Sequence, residues 1–172
     1  MWVDLLFPGI WVHELAHAIG CVLGGVPIHH IEMRSRSGKV VHSASTLRNS
    51  TLISLAPLIA GSALSFFLFD QAFLQRNEGL LWALVMGWLA FSIGFHSIPS
   101  LADMSNVADT IPRRIQEWWS SPSGLAAKIL MSGWYLLVWP IAWVGAGVSW
   151  LMEQTLWSRV GWALFLGWIA YP

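Results

Sequence analysis

Long apolar runs separated by short polar stretches set the pattern of this chain, at residues 5–26, 51–69, 80–98, 125–151 and 156–170. A helix that crosses a bilayer needs about 20 mostly apolar residues, so these runs predict about five spans, the last of them short. The second run carries Pro57 among Ser54, Ala56, Ala60, Gly61 and Ser62. A kink with freed backbone groups is expected there, tolerable only where protein buries it. The third run reaches Pro99, which should break the helix just before Asp103. Residues 27–49 are polar, and within them 28–34 and 39–43 are β-prone runs around Ser37-Gly38, predicting a hairpin. Over 109–119, Ile111, Ile115, Trp118 and Trp119 share one helical face, opposite Arg113, Arg114, Gln116 and Glu117. That pattern predicts a helix lying in the headgroup region, with Asp109 as its cap and Pro112 near its first turn.

The expected fold is therefore an all-α integral membrane protein of about five transmembrane helices. A small β-hairpin follows the first helix and an interfacial helix follows the third. The chain divides into a core at 1–105, an interfacial helix and loop at 106–124, and two C-terminal transmembrane helices at 125–172.

Composition agrees with this reading. Of 172 residues, 56% are hydrophobic and 10% charged, against about 25% charged in an ordinary soluble domain. Nine basic and nine acidic residues give a formal net charge of zero, which argues against a nucleic-acid partner. A single cysteine excludes an internal disulfide. Trp134, Trp139, Trp150, Trp157 and Trp168 read as interfacial anchors and packing. With five spans, Arg34, Arg36, Lys39, Arg48, Arg113, Arg114 and Lys128 fall on or near one face, together with the C-terminus. Only Arg76 and Arg159 fall on the other. The positive-inside rule then puts the hairpin and Asp103 on the cytoplasmic side. No basic residue precedes the first run, so it is expected to stay as a helix and not to be cleaved as a signal peptide.

The chemistry is concentrated in the first run. His13-Glu14-Leu15-Ala16-His17 reads H-E-x-x-H, which on a helix puts two imidazoles one turn apart on one face. Two neutral imidazoles at that spacing can hold a zinc ion, and Glu14 beside them can accept a proton from its water. Ionisable groups in an apolar span are costly, so a functional site is favoured over three polar groups that merely pair with neighbouring helices. Gly20 and Gly24 continue the histidine side and would let another helix approach closely. A catalytic zinc needs a third protein ligand. Asp103 is the first candidate, because the break at Pro99 lets its carboxylate turn back toward the bundle. His96 is the second, as a ligand or as a partner behind one, and Asp109 the third. His29, His30 and His42 read as surface histidines of the hairpin, whose exposed edge can take an extended peptide by strand addition.

Together, H-E-L-A-H in the first span, Leu55-Ala56-Pro57-Leu58-Ile59-Ala60-Gly61 in the second, and Pro99–Asp103 ending the third resemble the site-2 protease family of intramembrane zinc metalloproteases. The resemblance covers about residues 8–105 and implies a three-helix catalytic core. It further implies zinc held by His13, His17 and Asp103, Glu14 as general base, and a membrane protein as substrate within the lipid bilayer. Where the family has Leu-Asp-Gly, this chain has Leu101-Ala102-Asp103-Met104, which keeps His96 in play. Asn106 is the candidate donor to the oxyanion. No appended substrate-binding domain is expected, and the compact pattern suggests a prokaryotic plasma membrane. A different class of function is a non-proteolytic zinc-binding protein, such as a pseudoprotease or partner-binding scaffold, but metal binding alone does not need Glu14. A metal transporter is weaker, since no internal repeat is visible. The oligomeric state is not set by the sequence.

Overall fold

A computed structural model describes residues 2–77 and 79–171. After a 3₁₀ turn at Trp2–Leu6, helix α1 spans Phe7–Leu23, with Pro8 in its first turn, where a missing N–H costs nothing. Gly25 ends it at φ 63°, a left-handed conformation that glycine adopts freely. Gly25 N then donates to Val22 O at 3.1 Å and Val26 N to Cys21 O at 2.8 Å, satisfying two terminal carbonyls. The predicted hairpin follows as antiparallel strands β1 (Ile28–Met33) and β2 (Gly38–His42). Ile31 faces Val40 in register, and a bulge lies between Ile28 and His30.

Helices α2 (Leu47–Ala56) and α3 (Ser62–Leu74) are joined by one π-helical turn, Pro57–Gly61. The expected disturbance at Pro57 is thus a local widening within one continuous helical stretch. Helix α4 spans Leu80–His96, α5 Leu101–Ser120, α6 Leu125–Gln154 and α7 Leu156–Ala170.

Helices α1 and α4 run side by side in the same direction. Trp88 Nε1 donates to Leu5 O at 3.1 Å, and Ser92 Oγ donates to Leu6 O at 2.8 Å while accepting from Gly9 N at 2.9 Å. Helix α2 meets the second half of α1, where a Cβ on Gly20 would stand 3.0 Å from Ile53 Cα. Only a small residue allows that approach, as the sequence suggested. Helices α3 and α7 flank α4, with Ser65 Oγ on Ala90 O at 2.7 Å and with Leu6, Phe95 and Ala163 in one apolar cluster.

Among the described residues, four helical stretches are long and apolar enough to cross a membrane: Asp4–Leu23, Leu47–Leu74, Leu80–Ser120 and Leu125–Gln154. The expected fifth span is not among them. Helix α7 has 15 residues, about 22 Å of rise against a core of about 30 Å. The helix expected over 109–119 begins earlier than the sequence pattern indicated. Residues 109–119 are the second half of α5, so the division at 105/106 falls inside a helix and Pro112 lies in its interior. Its apolar face covers α6, with Val107, Ala108 and Ile111 packed on Ala142 and with Ile115, Tyr135 and Val138 beside them. Burial against a neighbouring helix and insertion among headgroups demand the same sequence pattern, so the pattern alone could not separate them.

The end of α7 is misplaced by the five-span reading. Tyr171 lies against Phe73 and Arg76, at the α3–α4 turn and not with the hairpin. Helix α6 packs antiparallel on α5 and delivers the chain to the depth of Ser97, where Trp162 Nε1 donates to Ser97 Oγ at 3.0 Å. From there α7 runs alongside α3 in the same direction, from Trp162 to Tyr171.

Candidate metal centre

Helical periodicity puts His13 and His17 on one face of α1, and their Nε2 atoms stand 3.1 Å apart. Helix α5 brings Asp103 to the pair from 86 residues further along the chain than His17. Its Oδ1 lies 3.1 Å from His17 Nε2 and its Oδ2 3.5 Å from His13 Nε2. One ligand atom from each residue falls within 4.8 Å of the others. Ligand atoms about 2.0–2.1 Å from a tetrahedral ion stand about 3.3 Å from one another. The two imidazole nitrogens, and the carboxylate oxygen nearer to each, stand close to that separation.

Main-chain oxygens orient both rings. His13 Nδ1 lies 2.6 Å from His96 O, and His17 Nδ1 lies 2.8 Å from Ile53 O. A carbonyl can only accept, so each Nδ1 carries a proton and each Nε2 is turned inward, free to offer a lone pair to a metal ion. Two lone pairs and a carboxylate directed at one point repel unless a proton or a metal ion lies between them. The donor set therefore fits a metal ion, and nitrogen with carboxylate oxygen fits zinc chemistry.

Both carbonyls are available for a stated reason. His96 is the last residue of α4, whose terminal carbonyls lack helical partners. Ile53 lies four residues before Pro57, which has no N–H to return to it. The kink foreseen from Pro57 thus supplies the acceptor that holds His17.

Asp103 is held just as firmly. Ser100 caps α5: its hydroxyl accepts from Asp103 N at 3.2 Å, while Asp103 Oδ2 accepts from Ser100 N and Ser100 Oγ, both at 2.7 Å. This reciprocal box fixes the carboxylate through one oxygen and leaves Oδ1 turned toward His17. The N-terminus of α5 also favours a negative charge at that position.

Glu14 is buried beside the pair, and the hairpin lies over it. A Cβ on Gly38 would stand 2.1 Å from Glu14 Cγ, so only glycine permits this contact. A cavity of about 440 Å³ opens between β2 and α5, lined by His13, Glu14, His17, Asp103, Asn106 and Gly38 among others. A second, of about 710 Å³, meets His13 and Glu14 from the other side, where α4 ends and α7 begins. At the hairpin tip, Arg36 donates to Asp4 through Nε at 2.7 Å and Nη2 at 2.8 Å. The hydrogen bonds it gives to Asp4 raise the pKa of that exposed guanidinium.

The other sequence candidates fall differently. His96 joins the site through its main-chain oxygen, while its ring Nδ1 turns to Ser92 O at 3.0 Å. Asp109 lies within α5 and caps nothing, because the cap of that helix is Ser100. His29 and His30 are outside the cluster. His42 lines the smaller cavity without joining the ligand group. Sequence reasoning missed Ser100, although Ser100-Leu101-Ala102-Asp103 after Pro99 is a capping-box signature. It also missed Arg159, assigned to the opposite face but lining the larger cavity. No signal in the sequence marks that placement.

Compared with known proteins, the chain matches no family model, and no curated protein or solved structure matches it significantly.

Proposed function

We propose that this protein is an intramembrane zinc metalloendopeptidase acting on membrane-embedded or membrane-tethered proteins. The observation that carries the reading is the convergence of His13, His17 and Asp103 beside a buried carboxylate, Glu14, at the wall of a cavity. Metal binding alone needs no such fourth group. The resemblance of the H-E-L-A-H span, the Pro57 segment and the Pro99–Asp103 break to site-2 proteases points the same way. Under this reading α1, the α2–α3 stretch, α4 and the start of α5 form the catalytic core.

His13, His17 and Asp103 would hold the ion, and zinc, when bound, supplies Lewis acidity toward a water and the scissile carbonyl. Glu14 takes the proton of the attacking water and returns it to the departing amine. Asn106, one turn beyond Asp103 in the same cavity, offers an amide to the oxygen that gains charge. The edge of β2 lines that cavity and can hold an unwound stretch of substrate in extended form. Unwinding is required because the carbonyls of a helix are already hydrogen-bonded.

The test pairs metal content with cleavage. Full-length protein in lipid vesicles is incubated with a mixture of synthetic transmembrane-segment peptides, and products are read by mass spectrometry. The expected result is about one zinc per chain in the wild type and in Glu14→Gln, with cleavage by the wild type only. His17→Ala and Asp103→Ala should lose the metal. Zinc without cleavage in the wild type would favour a zinc-binding scaffold. A chain that takes up no metal would overturn both readings.

A further inference from the structure

The larger cavity holds a cation that makes no ion pair among the described residues. Arg159 is half-buried there as the fourth residue of α7, its Cζ 5.8 Å from the centre of the Phe95 ring. The start of a helix carries a partial positive charge, so a cation is disfavoured at that position. The aromatic face softens the loss of water but neutralises nothing. Among the described residues, no carboxylate lies within ion-pair distance of Arg159. Of the acids that share its cavity, Glu153 acts on the guanidinium through space but makes no ion pair with it. Asp4 holds Arg36, and Glu153 Oε2 accepts from Leu101 N at 3.1 Å, at the start of α5. Glu14 faces the histidine pair.

We propose that Arg159 is a specificity-determining residue that receives a carboxylate of the peptide substrate in this cavity. The inference rests on the metalloendopeptidase reading and deepens it. A guanidinium presents its donors as a planar fork that matches a carboxylate in two hydrogen bonds. At about 710 Å³ the cavity is of ligand-binding size, and it shares His13 and Glu14 with the candidate metal centre. A chain bound across the metal therefore extends toward Arg159. The carboxylate can be an acidic side chain near the scissile bond or the free C-terminus of a short product or substrate.

Three peptide hydroxamates of one sequence distinguish these sources on zinc-loaded full-length protein in detergent. One ends in a free carboxylate, one in a carboxamide, and one in a carboxamide with a glutamate added beside the hydroxamate. The wild type should bind one acidic probe at least about tenfold tighter than the plain carboxamide, and the tighter probe identifies the source. In Arg159→Gln the ratio should fall to about one, with zinc content at the wild-type level as evidence of an intact fold. Arg159→Lys should keep part of the preference. Equal binding of all three probes by the wild type would overturn the proposal, as would a preference that survives in Arg159→Gln. If no hydroxamate binds to zinc-loaded protein, the peptidase reading falls and takes this inference with it.

Discussion

Pro57 orients His17 through a single main-chain oxygen. Proline returns no hydrogen bond to Ile53 O, and that oxygen instead accepts from His17 Nδ1 at 2.8 Å. If His17 holds the proposed metal, helix-breaking chemistry in α2 thereby becomes ligand-positioning chemistry in α1.

Pro57→Ala restores the N–H and lets the helix reclaim Ile53 O. The helical stretch should gain stability, since an interior proline costs up to about 3 kcal/mol. Zinc affinity should fall about 10- to 100-fold, the usual effect of losing a partner behind a ligand. Competition titration against a chelator measures it, and unchanged affinity would show that His17 is oriented by something else.

Ser100→Ala removes the hydroxyl that accepts from Asp103 N and donates to Asp103 Oδ2. Loss of the cap should cost about 1 kcal/mol in stability. A less constrained carboxylate should weaken zinc binding by about tenfold. Thermal unfolding and chelator competition report the two effects separately, and Ser100→Thr should restore most of both.

Gly38→Ala places a methyl group where Glu14 Cγ now lies. The hairpin or the glutamate must move, while the three ligands stay in place. Cleavage should drop by about 100-fold, a typical consequence of an ångström-scale misplacement, with zinc content unchanged. Equal initial rates for variant and wild type would remove the hairpin from the catalytic arrangement.

Ser92→Ala strips a buried hydroxyl that donates to Leu6 O and accepts from Gly9 N. Orphaning buried backbone groups costs about 1–3 kcal/mol, nearer the lower end inside a bilayer. A lower midpoint in thermal unfolding, with zinc still bound, is the expected outcome.

Much of this arrangement was legible from spacing. His13 and His17 four residues apart must share a helical face, and Pro57 must disturb its helix. Pro99 must end one, and the alternation around Ser37-Gly38 favours a hairpin. Each of these follows from bond geometry and the helical or strand period over a few residues. The 109–119 pattern shows where such reasoning stops: Ile111, Ile115 and Trp118 announce an apolar face but not whether lipid or α6 covers it.

The sequence by itself therefore determined the chemistry of the first helix, the apolar stretches and the position of each break. Tertiary structure alone decided that the oxygens of Asp103 meet the two imidazoles while His96 contributes its carbonyl. It also decided that α7 runs beside α3 and carries Arg159 into the cavity next to Glu14. The physical reason is range. Local periodicity is set by neighbouring bonds, whereas contacts across 80 or more residues depend on which helical faces pack best, a sum over many weak interactions that no short motif encodes.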